Sequence, residues 1–441
     1  MPIILLTALI LRLVLINQSL WLDESIEALA LMGRMGPLLQ YALADFQPPL
    51  YHFIGYFFTQ LFGYSEIALR LPSLLSGLFT VYFVIKLGEL LGGKKLGIVA
   101  GLLAATNPLL IYYSQEGRTY AMTAFFVTAS FYYFIKLLKE KSTLSTTIYY
   151  LLSTTAFLWT SYLSWFVLLS QGIYVLWKKR SDLLGVQALS ALTLIFWLPS
   201  LISSLGIGHS TLLTTPEWGR VVGGLSWKSL PLTWVKFVLG RISFDNKLLY
   251  AGAVGGLGLT HLFVLRLVRF KRYPLLLTWL ILPVLLGLSV SIFLPVYAYF
   301  RVLFVLPAYL LLLALVLVRQ SQKYTLAVVI FQLAALGYFW IFPRFHREDW
   351  RALASDLPAS AVLAMPSRAQ DAPLRYYGIT TPIIEPSHEQ IVGEQIYYIR
   401  YVEDLFDSTR LGQANFAKSG YTITKQRVYS GIQLDIYENH D

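Results

Sequence analysis

Long apolar runs separated by small basic clusters recur along the first three quarters of this 441-residue chain, and they leave it few folds to adopt. Only 13% of its residues are charged and 56% are hydrophobic, whereas a soluble domain carries roughly 25% charged residues. An apolar stretch of about 20 residues crosses a bilayer as a helix, because a helix pairs its backbone polar groups internally. The chain therefore reads as an α-helical polytopic membrane protein. Its formal charge of +11 is spread over loops between apolar runs, which suits cytoplasmic loops and speaks against a nucleic-acid partner. There is no cysteine, so disulfides, thiolate metal sites and cysteine nucleophiles are excluded.

The basic clusters set an expected orientation. Lys94-Lys95, Lys136/Lys139/Lys141, Lys178-Lys179-Arg180, Arg266/Arg269/Lys271/Arg272 and Arg319/Lys323 follow every second apolar run, the cytoplasmic signature. The connections 18–65, 114–118, a turn near Ser161, 208–246 and 295–301 then lie outside. About eleven spans are predicted, at 2–17, 66–91, 96–113, 119–138, 146–160, 162–177, 183–205, 247–268, 274–294, 302–318 and 324–342. Residues 146–177 read either as two spans or as one long tilted helix. With the N-terminus cytoplasmic, an odd count leaves the C-terminus extracytoplasmic. The first segment has no basic n-region or small-residue cleavage site and reads as a retained span, not a signal peptide. It is short. Either it runs on to Trp21, with Arg12 snorkelling or facing protein, or a few residues precede this start.

After Phe342 the composition turns polar, with β-rich runs at 361–365, 395–401, 421–429 and 432–437 and helical patterns near 348–356 and 409–419. The expected organisation is a membrane-embedded domain, 1–342, followed by a small α/β domain, 343–441, outside the membrane. Loop 18–65 reads as amphipathic helices lying in the interface with their carboxylates wet. Loop 208–246, with Trp218, Trp227 and Trp234, has the same interfacial character. The glycines of 252–258 sit in an apolar span and read as a helix-packing surface.

Three short segments carry the candidate chemistry. Asp23 and Glu24 lie beyond the first apolar run, where a carboxylate pair is either solvated or functional. Asp45-Phe46-Gln47-Pro48-Pro49-Leu50-Tyr51 has paired prolines that stop one helix and place the next, and a rigid corner accounts for it equally well. Tyr112-Tyr113-Ser114-Gln115-Glu116-Gly117-Arg118-Thr119-Tyr120 is a short turn holding Gln115, Glu116 and Arg118 between aromatics. Its bland reading is a surface ion pair. The six His residues show no ligand spacing.

Trp-Leu-Asp-Glu (21–24), Pro-Pro-Leu-Tyr (48–51), Phe-Gly-Tyr-Ser-Glu-Ile-Ala-Leu-Arg-Leu-Pro-Ser (62–73) and Tyr-Ser-Gln-Glu-Gly-Arg-Thr-Tyr-Ala (113–121) occur in this order. Together they resemble the protein O-mannosyltransferase-like membrane glycosyltransferases of the GT-C fold, a group that includes the lipid A aminoarabinose transferases. The resemblance covers about residues 10–180. Tyr299-Phe300-Arg301 with Val305-Leu306-Pro307-Ala308 resembles a later segment, and Arg347-Glu348-Asp349-Trp350-Arg351 the start of the outer domain in some bacterial members.

This resemblance implies transfer of a sugar from a polyprenyl-phosphate carrier to an acceptor hydroxyl on the outer face, with inversion at the anomeric carbon. Asp23 would be the general base, and Glu24 would support it or orient the acceptor. Arg70, Arg118 and Arg301 would stabilise the departing phosphate, and Gln47, Tyr51, Gln115, Glu116 and Tyr120 would line the donor or acceptor. Two departures stand out: Gln47 replaces a Lys that commonly precedes the paired prolines in the aminoarabinose transferases, and Ser161 stands where relatives often have His. No cofactor is firmly implied. A divalent ion at Asp23 or Glu116 is allowed by distant similarity to oligosaccharyltransferases. Glycolipid, polysaccharide and protein acceptors all stay open, as does the sugar. The compact loops and absence of cysteine point to a bacterial or archaeal inner membrane. A lipid or polysaccharide transporter and a non-catalytic envelope-assembly scaffold are the competing readings. Clustering of the charges at span ends, not the midplane, favours the enzyme over the transporter.

Overall fold

A computed structural model describes residues 1–214, 223–266 and 272–439. Trp218, Arg269 and Lys271, with part of loop 208–246 and the end of the span predicted at 247–268, lie outside the described residues. The chain forms two compact units: Met1–Ile16, Met35–Gly63 and Ala68–Phe339 in the first, Asn17–Arg34, Tyr64–Ile67 and Trp340–Asp441 in the second.

The first unit is helical, with a helix at each place where a span was predicted. Among the described residues four helices are long and apolar enough to cross a membrane: Glu66–Gly92, Thr119–Lys139, Ser181–Gly208 and Gln322–Ile341. The bent pair Lys94–Thr106 and Pro108–Ser114 makes a fifth if it counts as one span. Length separates this number from the predicted one, because helices such as Pro2–Leu13 and Pro274–Val290 are apolar but short. Leu144–Leu158 and Trp165–Lys178 are separate helices around a 3-10 turn at Tyr162–Ser164, so 146–177 is not one continuous rod. Every residue of Leu306–Leu317 is buried, which is why that helix is apolar on all sides.

The 61° bend between Lys94–Thr106 and Pro108–Ser114 falls at Asn107-Pro108, where proline cannot continue the backbone ladder. Asn107 Oδ1 accepts from the Leu109 and Leu110 N–H groups, and its Nδ2 donates to the Phe237 carbonyl. On the other side of the break Arg12 is fully buried, facing protein, and donates to the Ala104, Ala105 and Ala8 carbonyls and to Ser114 Oγ. A cation at carbonyls freed near a helix C-terminus satisfies them and complements the helix dipole.

Within the glycines of 252–258, a Cβ at Gly258 would stand 3.6 Å from the Trp234 ring, whereas one at Gly252, Gly255 or Gly256 would meet nothing within 4 Å. The close approach is instead at Gly88, where a Cβ would stand 2.7 Å from the Gly97 Cα, across the tight turn at Gly93 (φ +84°).

In the second unit a five-stranded mixed sheet has the order β2-β1-β3-β5-β4, with β1 Val362–Ala364, β2 Ile383–Ile384, β3 Gln395–Arg400, β4 Tyr421–Tyr429 and β5 Ile432–Asn439. β1 pairs in parallel with β2 and β3, while β5 runs antiparallel to both β3 and β4. Ser430 and Gly431 (φ +73°) close the β4–β5 hairpin, where a two-residue loop favours positive φ. Leu22 is buried in the same apolar cluster as Trp350, Leu353, Leu363, Ile399 and Leu434, with Ile26 and Leu29 packed against it. The Leu22–Met32 helix thus spends its apolar face on this core, and Glu24 and Glu27, expected to be wet, are each 2% exposed.

Gly88→Ala is expected to lower the thermal midpoint of the detergent-solubilised protein by several degrees, for a cost of about 1–3 kcal/mol. Gly36→Ala, where a Cβ meets nothing, should be neutral. Equal midpoints for the two variants would refute the close helix contact.

Candidate active site

The acidic pair is divided by its burial. Asp23 and Glu24 occupy the first turn of the Leu22–Met32 helix. Asp23 is half-buried, whereas Glu24 Oε2 lies 3.5 Å from Arg347 Nη1 and both side chains are almost wholly enclosed. The segment around Arg347 holds the chain just before the helix. The Arg347 N–H donates to Gln18 Oε1, the Arg351 N–H to Ser19 Oγ, and the Arg351 guanidinium to the Asn17 carbonyl and to Glu66. The Tyr377 hydroxyl accepts from the Leu20 N–H at 2.9 Å.

Glu348 lies beneath this helix. Its carboxylate accepts from Trp350 Nε1 at 2.9 Å, from the Tyr401 hydroxyl at 3.0 Å and from the Leu22 N–H. Burial pushes the Glu348 carboxyl up; those three hydrogen bonds pull it back, and the charge of Asp23 adds to the upward push. Burial and the neighbouring Glu348 and Asp23 also push the Tyr401 phenol well up.

The first unit brings together the other predicted segments. Tyr51, 1% exposed, shares a hydrogen bond with Ser73 Oγ, which also donates to the Arg118 carbonyl. This joins the Pro-Pro-Leu-Tyr corner, the Glu66–Gly92 helix and the 114–118 turn. Gln115 Nε2 donates to the Arg12 and Val14 carbonyls, holding the end of the first helix, where Leu15 reverses the chain at φ +64°. Glu116 is buried, and its carbonyl accepts from the Arg118 N–H at 2.8 Å. Tyr120 packs on Tyr113 and Phe300 with ring centroids 5.2 and 5.1 Å away, so the 299–301 segment does meet the turn. Arg301 donates to the Val296 carbonyl at 3.0 Å beside the Phe300 ring. Arg70 is fully buried, its Nη1 donating to the Ile16 carbonyl at 2.6 Å. Gln47 Oε1 is buried and accepts no hydrogen bond among the described residues.

Two features were not expected. Asp45 Oδ2 lies 3.1 Å from His52 Nε2. Burial pushes the Asp45 carboxyl up, but His52, the charge of Arg118 and the Phe46 N–H together hold it below the ordinary range. The seven-residue spacing would have revealed this pair only once 50–62 was known to be a helix. Arg241 places its guanidinium 4.7 Å from the Tyr112 ring centre, beside a small cleft that Gln115, Pro108 and Phe339 also line. No local signal in the sequence separates Arg241 from its charged neighbours Lys236, Asp245 and Lys247. Among the described residues no three His, Asp or Glu side chains converge as metal ligands. A divalent ion at Asp23 or Glu116 would find no such ligand set among the described residues.

Residues 46–203 match the model of the dolichyl-phosphate-mannose-protein mannosyltransferase family. That segment carries the family's signature. Of solved structures, ArnT from Cupriavidus metallidurans in the apo state resembles the chain with a TM-score of 0.60 and 13% identity, covering 99% of this chain and 97% of that one. The same ArnT bound to undecaprenyl phosphate gives 0.56 and 14% at the same coverage. The Archaeoglobus fulgidus oligosaccharyltransferase AglB, in complex with an inhibitory peptide and a dolichol-phosphate, gives 0.51 and 12%, covering 98% of this chain and 74% of that one. None of the curated proteins matches the chain. The resemblance read from the motifs is thus met by the family model and by the fold. The matched family and ArnT, by their descriptions, are a mannosyltransferase family named for a dolichyl-phosphate-mannose donor and a protein that binds undecaprenyl phosphate.

Replacing Arg347 with Met should strand the buried Glu24 carboxylate and destabilise the protein by about 3–5 kcal/mol. Adding Glu24→Gln to that variant should recover most of the loss in a chemical-denaturation measurement. Additive losses would mean that the pair does not interact.

Proposed function

We propose that the protein is an inverting glycosyltransferase that moves a sugar from a polyprenyl-phosphate carrier to an acceptor hydroxyl on the extracytoplasmic face of a bacterial or archaeal inner membrane. Support for the orientation comes from the basic clusters between alternate helices. Helices at all the predicted places support reading the shorter ones as spans too. The single observation that carries the chemical reading is the contrast within the acidic pair. Glu24 is committed to Arg347 in the interior, while Asp23, one residue before it, keeps solvent access.

In this reading the acceptor oxygen attacks the anomeric carbon as its proton passes to the Asp23 carboxylate. The new carbon–oxygen bond forms while the bond from the anomeric carbon to the phosphate oxygen breaks, and the carrier leaves as its phosphate. A phosphate leaving group needs positive charge more than it needs a proton. Arg118 and Arg301 supply it, with Arg241 at the Tyr112 end of the same motif. Arg70, whose Nη1 donates to the Ile16 carbonyl, holds the backbone in this scheme and adds its charge on the side of the departing phosphate. Gln47, Tyr51, Gln115, Glu116 and Tyr120 shape the donor site. Glu24, through its pairing with Arg347, steadies Asp23, and glycolipid, polysaccharide or protein presents the hydroxyl.

Purified protein given radiolabelled polyprenyl-phosphate sugars and membrane extract should transfer label. Asp23→Asn should abolish transfer, a loss of about 10²–10⁴ for removing a general base. Arg118→Ala should lower the rate with donor bound, since its charge acts on the departing phosphate. Transfer by Asp23→Asn at the wild-type rate would remove Asp23 as the base.

A further inference from the structure

Glu348 is tied to the N-terminal turn that carries Asp23. We propose that Glu348 is a positioning residue for Asp23: its buried carboxylate grips the N-terminus of the Leu22–Met32 helix and fixes where the Asp23 carboxylate points. The inference rests on Asp23 being the base.

Three observations carry it. First, the helix has no side-chain cap of its own, with Trp21 at the capping position, and the Leu22 N–H, beside Asp23, donates to Glu348. A carboxylate there satisfies an orphan donor and opposes the positive end of the helix dipole. Second, Glu348 is itself immobilised. Trp350 Nε1 and the Tyr401 hydroxyl donate to its two oxygens, and Trp350 packs edge-on against Tyr401 with ring centres 4.9 Å apart. Third, the β4–β5 turn is shaped around it. The Ser430 carbonyl accepts from the Asp349 N–H at 3.0 Å, and a Cβ at Gly431 would stand 2.8 Å from Glu348 Cγ.

The charged neighbours are accounted for. Arg347 and Asp349 flank Glu348 in the chain; Arg347 is turned to Glu24, and the Asp349 side chain caps its own helix through the Ala352 N–H. Asp23 and Tyr401 remain as the titratable groups acting on Glu348. An ionisable side chain held in the interior by three donors, one of them on the helix that carries the base, is more than a core filler. A well-packed hydrophobe would fill the space without leaving a carboxylate to satisfy. A tether of this kind acts on orientation, and misplacing a reacting group by about 1 Å costs on the order of a hundredfold in rate.

The test compares wild type with Glu348→Ala, Glu348→Gln, Tyr401→Phe and Asp23→Asn as full-length proteins, with rates normalised to folded protein from thermal melts. Glu348→Ala is expected to lower kcat by about ten- to a hundredfold while the KM for the polyprenyl-phosphate sugar stays within about twofold. Glu348→Gln keeps an oxygen for the Leu22 N–H and should recover most of that kcat. Tyr401→Phe removes one tether and should lower kcat by about threefold, which serves if Glu348→Ala does not fold. A wild-type kcat per folded molecule in Glu348→Ala, or in Tyr401→Phe in its place, would overturn the assignment, as would a Glu348→Gln variant no better than Glu348→Ala. Asp23→Asn separates the two ideas. If it is inactive while the Glu348 variants are unimpaired, only the positioning role fails; if it stays active, the base fails and the positioning role goes with it.

Discussion

A buried ion pair between residues more than three hundred positions apart, Glu24 and Arg347, is the constraint around which the second unit is organised. Neither charge would be tolerated alone in that interior, since an unpaired buried carboxylate or guanidinium costs several kcal/mol. The pair therefore forces the start of the Leu22–Met32 helix and the segment after Trp340 to fold as one body. Around it the backbone follows suit, with Gln18, Ser19, Leu20 and Leu22 each bonded to a residue of 347–377. A flexible loop after a first membrane helix would hold a carboxylate only loosely. Here the loop is taken into the core of a sheet domain, and the helix inherits that domain's rigidity.

The first unit solves a different problem, that of making a sharp irregular turn among apolar helices. Backbone polar groups released at membrane depth need protein partners, because no water competes for them. Asn107 and Arg12 take up those released at the Asn107-Pro108 break, and Gln115 takes up those released where the first helix ends. The same few polar side chains thereby aim the 114–118 turn. Its buried polarity is architecture first, and only Arg118 and Tyr120 keep partial exposure. This explains how one short turn carries so many polar residues between long apolar helices.

The sequence was legible wherever a local pattern sufficed. The sheet domain shows this best: four of its five strands lie where alternation placed them, while Ile383–Ile384 is too short to leave a period. The helices of the first unit were legible for the same reason, being apolar stretches bounded by charge or proline. What could not be read was pairing at long range. Glu24 looks wet in the sequence because nothing near it in the chain is basic. Its partner arrives from the far end, and the helix expected to lie in the membrane interface is recruited elsewhere. Arg70 shows the same limit. It lies in a matching motif at the end of a span, and nothing near it in the chain signals that its Nη1 donates to the Ile16 carbonyl. A charge tells its type in sequence but not its partner.

The substitution of Gln47 for a lysine gains meaning from its surroundings. A lysine beside the paired prolines would place an ammonium near Asp45 and His52, in a corner that Arg118 already supplies with positive charge. With Gln47 there, His52, the charge of Arg118 and the Phe46 N–H hold the Asp45 carboxyl below its ordinary range. The amide oxygen of Gln47 stays buried with no hydrogen-bond donor among the described residues, an arrangement that costs roughly 1–3 kcal/mol if nothing else donates to it. A hydroxyl-rich ligand can supply the missing donor, whereas a phosphate dianion can only accept.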